Sequence, residues 1–78
     1  ARHHRDVILM NRKPVRSSNL KSVGYSKPEK VLEVEFRSGS VYQFEEIHPH
    51  TARYLMQAPS KGKFFWKNVR GKYPYQKV

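Results

Sequence analysis

The 78 residues leave room for one domain, and a chain this short buries only about 60% of its unfolded surface, which argues against a deep catalytic cleft. Sixteen Lys and Arg against six Asp and Glu give a formal charge of +10, which speaks to partners rather than fold: nucleic acid first, an anionic membrane second. The absence of cysteine excludes a disulfide scaffold and a thiolate zinc site and fits a reducing, cytoplasmic setting, while the longest apolar run, Val7-Ile8-Leu9-Met10, is too short for a bilayer span or a signal sequence.

The charge is concentrated at the two ends. Residues 1–21 hold six cations and one acid, residues 22–59 four cations and five acids, and residues 60–78 six cations and no acid. Residues 1–14 read as a basic leader, in which Val7 to Met10 suits an edge strand or one helical turn and Arg2, Arg5, Arg12 and Lys13 suit phosphates or plain solvation. His3 and His4 carry no pattern of their own. The chain opens on Ala1 rather than Met, as a piece of a larger parent would. Residues 15–78 read as the domain.

Ser17-Ser18-Asn19 is turn or cap chemistry, since these short side chains bond nearby backbone N–H groups. Leu20, Val23 and Tyr25 predict a first strand with an irregular start, and Gly24 within it marks a bulge or a close backbone approach. Leu32-Glu33-Val34-Glu35-Phe36 alternates strictly and predicts a second strand; Val41 to Glu45 predicts a third, with Ser38-Gly39-Ser40 as the turn. A three-residue turn at 38–40 pairs Phe36 with Tyr42 and Val34 with Phe44. That puts Leu32, Val34, Phe36, Tyr42 and Phe44 on one buried face and Glu33, Glu35 and Glu45 on an acidic outer face.

Pro49 suits the first position of a helix over about 49–58, where its missing N–H costs nothing, and Pro59 ends it. Ser60 caps a second helix that Gly71 ends. An advance of about 100° per residue puts Phe64, Phe65 and Val69 on one side and Lys63, Trp66, Lys67 and Arg70 on the other. Pro74 holds Tyr73 extended, and Tyr73 and Tyr75 then point to the same side.

The stretch 60–78 interleaves Lys61, Lys63, Lys67, Arg70, Lys72 and Lys77 with Phe64, Phe65, Trp66, Tyr73 and Tyr75. Cations for phosphates and rings for bases are what a nucleic-acid surface needs, although a solvated basic face over core rings has the same composition. Trp66 has two open roles, as a core residue or as a stacking platform. Ser60-Lys61-Gly62-Lys63 reads either as an anion site at a helix start or as an ordinary Ser cap; the phosphate-loop pattern is incomplete. His48 and His50 lack the further ligands that a metal needs, and Glu45-Glu46 beside His48 shows no nucleophile–base spacing. Neither an enzyme nor a metal or cofactor site is expected.

VRSSNLKSVGY, LEVEFRSGSVYQF, APSKGKFF and NVRGKYPY, in that order over residues 15–78, resemble the KTSC domain. This small family is named for the C-terminus of certain lysyl-tRNA synthetases and also occurs as free-standing bacterial and phage proteins. Its central Tyr-x-Tyr reads Tyr42-Gln43-Phe44 here, and a polar residue is usual where Trp66 stands. The resemblance implies RNA binding and carries over no catalytic residues.

The expected protein is therefore α+β: a small antiparallel three-stranded meander followed by two C-terminal helices packed on its aromatic face. Its expected function is binding of structured, tRNA-like RNA, with Lys61, Lys63, Lys67, Arg70 and Lys72 on phosphates and Trp66, Tyr73 and Tyr75 stacking on bases. DNA, or an acidic protein met by an adaptor module, is the alternative partner.

Overall fold

The computed structural model of the protein describes residues 10–78. Its elements, in chain order, are β1 (Lys13–Pro14), β2 (Leu20–Ser26), β3 (Val31–Phe36), β4 (Val41–Phe44), α1 (Pro49–Gln57), α2 (Lys61–Asn68) and β5 (Tyr75–Lys77). The strands form one antiparallel sheet of five, in the order β1-β2-β3-β4-β5. The expected three-stranded meander is thus only the middle of the sheet, and the helices lie between β4 and β5 rather than at the end of the chain. Two residues of β1 are too few to show an alternation, and Pro14, which lacks an N–H, is tolerated because β1 is an edge. β5 is only three residues long and pairs with a strand some thirty residues earlier, which no local pattern reveals; its pairing covers the N–H and C=O groups along β4. The expected element over 7–10 and the residues Arg2, His3, His4 and Arg5 fall outside the described residues, Met10 excepted.

The β3–β4 turn sits one residue earlier than expected. Phe36 N–H donates to Ser40 O at 2.9 Å and Gly39 N–H donates to Phe36 O at 2.9 Å, so the loop is Arg37-Ser38-Gly39. The pairs are Val34 with Tyr42 and Leu32 with Phe44, in place of Phe36 with Tyr42 and Val34 with Phe44. Three-residue hairpin loops want a left-handed residue in their last position, and Gly39, at φ +100°, supplies it. The shift is by two positions, so every side chain keeps its predicted face. No atom lies within 4 Å of where a Gly39 Cβ would stand, so the cost of a side chain there is purely conformational. Gly39→Ala should lower unfolding free energy by about 1–2 kcal/mol in a urea titration and leave the fold unchanged.

The two readings of β2 divide between two places. The irregularity falls between Leu20 and Ser22, while Gly24 marks a close approach: a Cβ there would lie 2.5 Å from Asn11 O. Ser17 Oγ accepts from the N–H groups of Asn19 and Leu20, each at 3.2 Å, which is the predicted turn chemistry.

The core lies between the sheet and the helices. Leu20, Val23, Leu32, Val34, Phe44, Ile47, Ala52, Leu55, Phe65 and Val69 are buried in one cluster. Phe65, from α2, meets Phe36 and Phe44 edge-on at 5.4 and 5.3 Å between centroids, an arrangement aromatic rings favour. Tyr25 leans over the connection to α1, and its hydroxyl donates to Ile47 O at 2.5 Å.

The opposite face is not the open acidic surface expected. Glu33 is buried beneath Arg12, whose guanidinium pairs with it and also donates to Ser22 Oγ at 2.9 Å. Gln43 Nε2 donates to Glu33 Oε1 at 2.7 Å, and Lys21 lies 3.9 Å from Glu35. Arg12, for which the sequence suited either phosphates or plain solvation, is the counter-charge of a buried carboxylate.

Candidate nucleic-acid interface

α2 divides its residues as the helical period requires. Phe65 and the following Val69 are buried and Phe64 is half-buried against the core, while Lys63, Trp66, Lys67 and Arg70 face outward. Ser60 is the N-cap, and its Oγ accepts from Lys63 N–H at 3.5 Å. Trp66 is 47% exposed, which excludes the core role. The Arg70 guanidinium lies over its ring, 4.1 Å from the centroid, within cation–π range, so the two groups form one unit. Among the described residues Arg70 has no carboxylate partner. Lys63 and Lys67 share this face, and Lys72 follows, also exposed.

Two of the predicted contributors are engaged elsewhere. Lys61 is half-buried, and its Nζ donates to Ala58 O at 3.1 Å, tying the start of α2 to the end of α1. Tyr73 is half-buried against the core. Gly62 does not open the helix start to a phosphate either. It is buried, and a Cβ on it would meet Ser17 Oγ at 3.2 Å and Asn19 Nδ2 at 3.4 Å, so the glycine lets α2 sit against the 17–19 turn. Ser60 is thus an ordinary cap.

Tyr75 is 54% exposed and lies on β5 opposite Phe44, with its ring 5.7 Å from Tyr42 and 5.8 Å from Phe44. Phe44 is buried, as expected of a core residue; Tyr42 is only half-buried. Between these rings and the end of α2 is a cleft of 310 Å³, lined by Phe36, Tyr42, Phe44, Arg70, Gly71 and Tyr75. Sequence reasoning assigned Phe36 and Tyr42 wholly to the core and so missed this cleft. No local signal marks it, because the three residues of β5 are too few to show a period and their partner strand lies some thirty residues earlier.

His48 is the N-cap of α1, its Nδ1 accepting from His50 N–H at 3.1 Å. Among the described residues no group of three or more His, Asp or Glu side chains is placed to hold a metal, and no helix is long and apolar enough to cross a membrane.

Fold and surface together define a small α+β domain whose one end is basic and aromatic. The chain belongs to the KTSC domain family, whose sequence profile it matches over residues 16–73. It is 41% identical over 56 residues to a protein of Stutzerimonas stutzeri, covering 72% of this chain and 79% of that one. It is 35% identical over 74 residues to a lysine–tRNA ligase of Nostoc punctiforme, a match that covers 95% of this chain and only 13% of the ligase. The crystal structure of a KTSC domain protein from Yersinia pestis superposes with a TM-score of 0.85 at 35% identity, covering 87% of this chain and 96% of that one.

Proposed function

We propose that this domain is a non-catalytic, cytoplasmic RNA-binding module that grips structured RNA by its phosphates through Lys63, Lys67, Arg70 and Lys72, with Trp66 offering a ring to a base. The observation that carries this reading is the exposed Trp66 with the Arg70 guanidinium over its ring, in a segment of six cations and no acid. A large ring left in water costs solvation, and a guanidinium over it stays positively charged and keeps in-plane donors for phosphate oxygens. That a lysine–tRNA ligase carries a similar segment supports RNA, and tRNA-like RNA in particular, over other polyanions.

The test is a salt-titrated binding series on tRNA, single-stranded RNA and duplex DNA. Four cations on phosphates should make log affinity fall with log salt at a slope of about −3 to −4, through counterion release. RNA should bind more tightly than duplex DNA, and Trp66 fluorescence should be quenched as RNA is added. A flat salt response, or no RNA binding at low salt, would reject the reading in favour of an adaptor that meets an acidic protein.

A further inference from the structure

We propose that the cleft between α2 and the β4–β5 edge seats one unpaired nucleobase of the bound RNA; this rests on the RNA-binding function above and adds what kind of RNA is preferred. The cleft is 310 Å³, at the lower end of the range for sites that hold small organic groups. Its walls are the rings of Phe36, Tyr42, Phe44 and Tyr75. These rings are mutually inclined, at 79° between Phe36 and Tyr42, 58° between Tyr42 and Tyr75, and 37° between Phe44 and Tyr75. Inclined rings make a recess for one flat group rather than a platform for a run of stacked bases.

The only cation among the lining residues is Arg70, which has five donors and no acceptor. Its position over the Trp66 ring holds the guanidinium in place beside the cleft that Arg70 lines. An aliphatic side chain would fill the apolar walls and leave those donors without partners. A phosphate alone would satisfy the donors and leave the rings uncovered. A purine or pyrimidine ring does both, presenting its faces to the aromatic walls and its carbonyl or ring-nitrogen acceptors to Arg70.

The surroundings favour a base that is part of a chain. Arg70, just past the end of α2, lines the cleft and lies over Trp66 on the helix's outward face, so the chain of a nucleotide seated here can run on toward Lys63 and Lys67. On the other side Lys77, exposed and paired with Tyr42 across β4–β5, projects from the same side of its strand as Tyr75 and can meet the next phosphate. A base within a duplex is stacked and paired and cannot enter, so the occupant comes from a loop, a bulge or a single strand.

The experiment titrates the whole chain with three RNAs of one sequence: a fully paired hairpin, the same hairpin with one bulged nucleotide, and the bulged form with an abasic residue at that position. The bulged RNA should bind about tenfold more tightly than the paired one, and the abasic form should fall back to the paired affinity. Tyr75→Leu keeps an apolar contact with Tyr42 and Phe44 but removes the flat ring, so the three affinities should converge; Tyr75→Phe should keep the preference. A thermal melt checks that each variant folds, and if Tyr75→Leu does not, the abasic comparison on the wild-type chain decides. Equal affinity for all three RNAs with a steep salt dependence would overturn the base site and leave the RNA-binding function standing. A bulge preference that survives in folded Tyr75→Leu would also overturn it, and no binding to any RNA would overturn both.

Discussion

Phe65→Ala should remove about a third or more of the protein's stability. Phe65 is fully buried and joins the helical layer to both β3 and β4 through its edge-on contacts with Phe36 and Phe44. Truncating such a ring costs about 3–5 kcal/mol, because the void keeps its shape when the neighbouring rings cannot close over it. A chain of 78 residues has roughly 4–12 kcal/mol of total stability to lose. The midpoint of a thermal melt followed by circular dichroism should fall by about 12 °C or more. Lys63→Ala, two residues away on the outward face, should scarcely move it. Equal melts for the two variants would mean that Phe65 is not the residue that holds the layers together.

Arg70→Glu should produce the largest loss of RNA affinity of any single change on the surface, while the melting temperature stays near that of the parent. The substitution removes one phosphate partner, places a carboxylate among Lys63, Lys67 and the RNA, and takes the guanidinium off Trp66. Loss of one cation alone makes the salt slope shallower by about one unit, and like-charge repulsion adds to that. Arg70→Lys separates the parts. It keeps the positive charge, so the salt slope should hold. It loses the planar group on Trp66 and the in-plane donors at the cleft, so affinity at fixed salt should still fall several-fold. If Arg70→Lys binds like the parent, the Trp66–Arg70 unit has no part in recognition and only the charge matters. The same fluorescence titration serves for both variants because Trp66 is the sole tryptophan.

What was legible in the sequence follows from how local each signal is. The two sides of α2 were readable because the 3.6-residue period is written within a dozen residues, and Phe65 and Trp66, adjacent in sequence, were separated to core and surface by it. The shared face of Leu32, Val34, Tyr42 and Phe44 was readable because any even shift in register preserves it, so the misplaced turn did no harm to that assignment. The turn itself could have been placed by asking where a positive φ is wanted, since Gly39 is the one glycine available to it. The edge strands were hidden because two or three residues carry no period and their partners are remote. The partner of Arg12 was hidden for the same reason. A run of cations shows its charge and not its counter-ion, and Glu33 lies 21 residues further on. The cleft was hidden with β5, since Tyr42 reads as core until Tyr75 is seen beside it.

The stretch that the family profile recognises, residues 16–73, stops short of both outer strands: Lys13–Pro14 precedes it and Tyr75–Lys77 follows it. A fragment cut at those limits would keep nearly all of the buried cluster yet expose unpaired hydrogen-bonding groups along β2 and β4, and would strip the guanidinium from Glu33. Such a fragment should be prone to self-association through strand addition and to poor solubility, although its hydrophobic interior is intact. Boundaries drawn by sequence likeness alone therefore give a worse-behaved protein here than boundaries drawn by completing the sheet.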